Sequence, residues 1–119
     1  LKNGTIDLFK SFGIEIHARS IFLQGLLLTK NYPSYFNKWS NEINNWKNFC
    51  LKENKSQLEI SLNFINNLSQ IDNLIIGIED LNQLKEIINS LNNYQVIDLS
   101  RFASSNVDLI NPNNWSLTD

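Results

Sequence analysis

The chain has 119 residues, 42% of them hydrophobic and 18% charged, with a formal charge of −2. That is one domain's worth of globular chain, long enough to bury a core, and its charge offers no basic stripe for nucleic acid. The single cysteine, Cys50, excludes an internal disulfide framework and fits a reducing compartment. No apolar run reaches the roughly 20 residues of a membrane span and no basic start precedes an apolar stretch, so the expected location is cytoplasmic. Along the chain, Ile6, Leu8, Phe9 and Phe12 predict a short helix over 5–12, ended by Gly13. Ile14 and Ile16 alternate with Glu15 and His17, which predicts a strand over 14–18. The apolar segment 21–28 is interrupted by Gln24-Gly25 and reads as a structured loop.

Pro33 opens the next unit, where Phe36, Trp39, Ile43, Trp46 and Cys50 recur every three or four residues. This is one face of a helix reaching about residue 51, with Cys50 serving as a small apolar residue on it. Two tryptophans on one stripe imply a large docking surface. Ser56 and Glu59 are spaced as a capping box for a helix with Leu58, Leu62, Ile65 and Leu68 inward, widened by Ile60 and Phe64. Leu74-Ile75-Ile76 before Gly77 has the pattern of a strand covered on both faces. Asp80 then caps a helix with core positions Leu81, Leu84, Ile87, Ile88 and Leu91. Beyond Tyr94 periodicity fades, and 92–119 reads as a tail anchored by Trp115.

The order helix, strand, two helices, strand, helix predicts an α/β class with two parallel strands and a right-handed crossover. Two parallel strands alone leave both sheet edges open, so further strands are expected. The chain starts at Leu1 and contains no methionine, which is read as the mark of a fragment: 1–119 as a single partial domain. Residues 20–25 and 77–83 both follow a predicted strand. Backbone N–H groups near a glycine or at a helix start suit an anionic phosphate.

The run Glu15-Ile16-His17-Ala18-Arg19-Ser20-Ile21-Phe22-Leu23-Gln24-Gly25-Leu26-Leu27 resembles the seventh strand and loop of the aldo/keto reductase family. Ile75-Ile76-Gly77-Ile78-Glu79-Asp80-Leu81-Asn82-Gln83-Leu84-Lys85-Glu86-Ile87 is similar to that family's eighth strand and cofactor helix. The likeness covers about 14–91, and its first block resembles a bacterial subgroup. It implies the C-terminal fragment of a (β/α)8 TIM barrel and, for the parent, an NAD(P)-dependent oxidoreductase acting on a carbonyl or alcohol substrate. By the same resemblance Arg19, Ser20, Phe22 and Gly25 would line the pyrophosphate and nicotinamide-ribose side. Gly77, Glu79, Asp80, Gln83 and Glu86 would line the adenosine end.

Arg19 stands where the family usually stacks a tyrosine on nicotinamide, and Ile87 where it usually has an asparagine. Glu79 and Asp80 replace residues that often receive the adenosine 2′-phosphate. Their charge would repel that phosphate and accept from a free ribose hydroxyl, so NAD is favoured over NADP. The other reading makes Asp80 a plain helix cap and Glu79 solvated. The family's catalytic aspartate, tyrosine, lysine and histidine lie on earlier strands, and His17, the one histidine, falls inside a strand. One histidine and one cysteine make no closed zinc site. The isolated chain is therefore expected to be inactive and to bind NAD too weakly to measure. The alternative function is a small non-catalytic α/β interaction module using the Trp39/Trp46 stripe.

Overall fold

In the computed structural model, which describes residues 4–92 and 96–117, helix α1 (Thr5–Ser11) stops at Gly13, where φ is +71°. The Gly13 N–H donates to Lys10 O at 2.9 Å and the Ile14 N–H to Phe9 O at 3.1 Å. This double closure needs a left-handed residue, which glycine supplies without a Cβ clash. Strand β1 (His17–Arg19) follows, and pairs in parallel with β2 (Asn73–Ile75): His17 with Asn73, Ala18 with Leu74, Arg19 with Ile75. The molecule is therefore α/β, mostly helical, with a two-stranded parallel sheet.

β1 begins later than the alternation of Ile14 and Ile16 suggests, and Asp72 gives the reason. Its Oδ2 accepts the Ile16 N–H at 2.7 Å, Lys10 Nζ reaches its two oxygens at 2.6 and 2.7 Å, and its own N–H donates to Ile16 O at 2.9 Å. The backbone at residue 16 is thus committed to a carboxylate clamp before the ladder starts. Within the strands, Ala18 and Leu74 are half-buried, whereas His17, Arg19, Asn73 and Ile75 are exposed. One face of the sheet is bare.

The crossover between the strands carries the core. A 3-10 turn (Ser34–Trp39) after Pro33 leads into α2 (Ser40–Lys52), whose expected stripe of Phe36, Trp39, Ile43, Trp46 and Cys50 is buried, with Phe49 added. Helix α3 (Gln57–Asn66) opens on the expected capping box: Ser56 Oγ accepts the Glu59 N–H at 3.1 Å, and Glu59 Oε2 accepts the Ser56 N–H at 2.8 Å. Its buried face is a correction to the sequence reading. Ile60, Ser61, Leu62 and Asn63 are buried, while Leu58, Ile65 and Leu68 are only half-buried and Phe64 is exposed. Burial of the two polar residues costs little because Ser61 Oγ donates to Gln57 O and Asn63 Nδ2 to Glu59 O, both at 2.8 Å.

Helix α4 (Leu81–Asn92) departs further from its amphipathic pattern. Only Ser90 is buried; Leu84, Ile87 and Leu91 are half-buried, and Leu81 and Ile88 are 62% and 48% exposed. The helix packs chiefly on α3, which is too narrow to cover the whole apolar stripe.

Residues 96–117 are not a loose tail. Two 3-10 turns (Ser100–Phe102 and Pro112–Asn114) flank helix α5 (Val107–Ile110). Ile97, Leu99 and Phe102 pack on Trp46, Phe49, Cys50 and Ile60, while Leu109 and Trp115 join Leu26, Phe36, Trp39 and Ile43. Periodicity fails here because side-chain turns hold the backbone: Asn106 Oδ1 accepts the Asp108 N–H at 3.0 Å, and Asn111 Oδ1 the Asn113 N–H at 3.2 Å. The Trp39/Trp46 stripe, expected to dock and left open only in the interaction-module alternative, is covered by the chain itself. Tyr94, where the pattern fades, lies outside the described residues. No described helix is long and apolar enough to cross a membrane.

Candidate functional site

The loop after β1 folds back on itself through unusual backbone. Ser20, Leu23 and Gln24 take φ of +56°, +50° and +52°, and Gly25 takes +84°. Left-handed backbone costs a non-glycine residue roughly 1 kcal/mol or more, so the surroundings must hold it. Successive turns do so, with Leu23, Leu26 and Leu28 N–H groups donating to Ser20, Leu23 and Gly25 carbonyls at 3.0 Å each. The loop's far end is pinned to the core. Both Trp46 Nε1 (2.9 Å) and Gln57 Nε2 (2.6 Å) donate to Leu27 O. Among the described residues, the N–H groups of Phe22, Gln24 and Gly25 donate to no other backbone group.

The start of α4 behaves differently. Asp80 Oδ1 accepts the Asn82 and Gln83 N–H groups at 2.7 and 2.9 Å, and Gln83 Oε1 accepts the Glu79 N–H at 2.9 Å. The Glu79, Asn82 and Gln83 N–H groups are thus satisfied from within the chain. Asp80 is its cap, and its carboxylate is engaged in that role.

Because β1 and β2 pair in register, the two loops leave the sheet at the same rim. They enclose an open hollow of about 680 Å³, within the size range of small-ligand clefts. Seven of the nine residues singled out in the sequence line it: Ser20, Phe22, Gly25, Gly77, Glu79, Gln83 and Glu86. Arg19 and Asp80 do not. Arg19 occupies the last ladder position on the bare sheet face, and Asp80 is turned to its helix. Gln24, Ile78 and Leu58 also line the hollow. The first two sit inside the quoted motifs. Leu58, from the first turn of α3, is brought there only by tertiary packing. The lining contains two carboxylates, Glu79 and Glu86, and neither lysine nor arginine.

His17 lies outside this hollow. Its Nε2 is 3.0 Å from Glu15 Oε1 and 3.2 Å from Asn73 Nδ2, on the exposed start of β1. Cys50 is buried beneath Trp46 and Ile60, and desolvation pushes its thiol up to about 11. Among the described residues, no cluster of His, Cys, Asp or Glu could hold a metal ion. Compared with protein-family models, curated proteins and solved structures, the chain gives no significant match.

Proposed function

We propose that this chain is the cofactor-cradling, C-terminal part of an NAD(P)-dependent aldo/keto reductase barrel, whose last two strands are β1 and β2. The observation that carries the reading is the parallel register of Arg19 with Ile75. It sets both family-like loops at one rim, around one hollow, as the active face of a (β/α)8 barrel requires. The bare sheet face and the half-covered α4 support it, since both are surfaces that neighbouring staves would bury.

The residues present fit a dinucleotide without a 2′-phosphate. The N–H groups of Phe22, Gln24 and Gly25 would face the pyrophosphate, and Gly77 allows close backbone approach. Glu79 and Glu86 would accept from ribose hydroxyls, and with no cation among the lining residues they would repel a further phosphate. The bound nicotinamide would supply hydride to a carbonyl carbon. This chain's part is to bind and orient; the acid that protonates the carbonyl oxygen belongs, by the family resemblance, to earlier strands.

Sequencing the transcript upstream of the Leu1 codon tests the reading. Tyrosine, lysine and histidine codons at the ends of successive predicted strands are expected, and the encoded protein is expected to use NADH in preference to NADPH. A start codon directly before Leu1, with no such strands upstream, sinks the proposal. A second reading, a non-catalytic interaction module, draws on the exposure of Ile75, Ile78, Leu81 and Ile88 beside the sheet. It gains from a short open reading frame and a partner that protects α4 from hydrogen exchange.

A further inference from the structure

On the rung where the two strands end, Arg19 stands opposite Ile75, about 4.8 Å away across the ladder. Side chains alternate between the faces of a strand, so these two share the bare face with His17 and Asn73, while Ala18 and Leu74 take the half-buried one. The polar groups at the other end of the bare face are occupied with one another. His17 Nε2 lies 3.0 Å from Glu15 Oε1 and 3.2 Å from Asn73 Nδ2, and Asp72 is held by Lys10. Arg19 has no such company. Among the described residues its guanidinium makes no ion pair, hydrogen bond or ring contact. The carboxylates held below their usual range, Glu59, Asp72 and Asp98, owe that to other groups.

What Arg19 is for follows once the dinucleotide reading is taken as the premise, and rests on it. In a closed (β/α)8 barrel one face of each strand meets the helices and the other fills the interior, where branched apolar residues prevail. The half-buried face then turns to the helices, and Arg19 becomes a guanidinium on the inner wall at the active rim. Its cross-strand neighbour Ile75 lines the strand-end hollow, whereas Arg19 does not, so the arginine stands just past the hollow's inner border. A carbonyl that takes hydride from a cofactor in that hollow has to lie across this border. A charge partly removed from water there is costly unless an opposite charge meets it. A guanidinium fork matches two oxygens of a carboxylate or a phosphate, and the cofactor's own pyrophosphate is assigned to the hollow itself. We propose that Arg19 selects the substrate: it pairs with an oxyanion group of the carbonyl compound and so makes the parent a reductase of acidic aldehydes or ketones.

The test uses the full-length encoded protein, with residues numbered as here, and small aldehydes of similar length: butanal, succinic semialdehyde and phosphonoacetaldehyde. Binding to the NAD-loaded protein is read by calorimetry, and KM in the presence of NADH by absorbance. At least one anionic aldehyde is expected to bind about tenfold or more tightly than butanal, the worth of one charge-assisted hydrogen bond. Which of the two is preferred tells a carboxylate from a phosphate substrate. Arg19→Gln, at an exposed position, is expected to lower that preference about tenfold and Arg19→Lys to keep part of it, with circular dichroism and the dissociation constant for NADH unchanged. Equal affinity for charged and neutral aldehydes, or a preference that survives Arg19→Gln, overturns the proposal. So does a loss of NADH affinity in Arg19→Gln without loss of the preference, which makes the arginine a cofactor ligand. Failure of the unsubstituted protein to bind NADH is a separate result: it removes the dinucleotide reading, and the role of Arg19 falls with it.

Discussion

Replacing Trp115 by leucine measures how firmly residues 96–117 are docked. The indole stands edge-on to Phe36, with centroids 4.8 Å apart at 87°, and its Nε1 donates to Leu109 O at 3.1 Å. The ring contact contributes about 0.5–1.5 kcal/mol and the hydrogen bond about 0.5–1.5 kcal/mol. Apolar area lost from a half-buried indole adds on the order of 1 kcal/mol. The expected cost is therefore about 2–4 kcal/mol, a large share of the roughly 5–15 kcal/mol that holds a domain together. Urea unfolding followed by near-ultraviolet circular dichroism reads it as a lower midpoint with unchanged slope. A Phe36→Leu/Trp115→Leu double-mutant cycle should return a coupling of about 0.5–1.5 kcal/mol. A cost under about 0.5 kcal/mol, the range of ordinary surface substitutions, would show that this segment is not part of the core and would refute the argument.

Other consequences can be measured in the same protein. Ser56→Ala removes one half of the α3 capping box and should lower stability by about 1 kcal/mol, read from the same urea curves. Glu59 is held below the usual carboxylate range first by the Ser56 backbone N–H, then by the Ser56 hydroxyl and Lys55. A depressed carboxylate contributes stability that is present above its unfolded pKa and lost as pH falls through the folded one, so part of the acid-side decline should vanish in Glu59→Gln. Asp72 is depressed in the same direction, chiefly by the Ile16 N–H and then by Lys10. In Asp72→Asn the Ile16 amide should exchange with solvent faster, and unchanged protection there would remove the clamp from the account of β1. With its thiol near 11, Cys50 should carry about one thiolate in a thousand at roughly pH 8. It should react with Ellman's reagent only after denaturant is added; prompt labelling of the native protein would contradict its burial.

The local signals of the sequence are those that needed no partner to be true. Gly13 and the Ser56/Glu59 pair act within a few residues of themselves, so helix ends could be read from spacing. The stripe from Phe36 to Cys50 is long and aromatic enough to demand burial whatever covers it. Ser20, Gly25 and Gly77 could be assigned to strand ends because turn residues after apolar runs leave few other placements. Their convergence on one hollow was expected only through the family resemblance; no local signal carries it, since it depends on two residues 56 positions apart, His17 and Asn73, sharing a ladder register.

Tertiary structure alone decided which surfaces are covered and by what. Asp72 moved the start of β1 by taking the Ile16 amide, a contact with no periodic trace in sequence. The spacing that gave α4 five core positions left Leu81 and Ile88 exposed, because amphipathicity states what a helix could bury and not whether a neighbour is there to cover it. Residues 96–117 had no period to reveal them, yet Leu109 and Trp115 close the core over α2. Spacing along a chain fixes which side of an element is apolar; only packing across the chain settles whether that side meets protein or water.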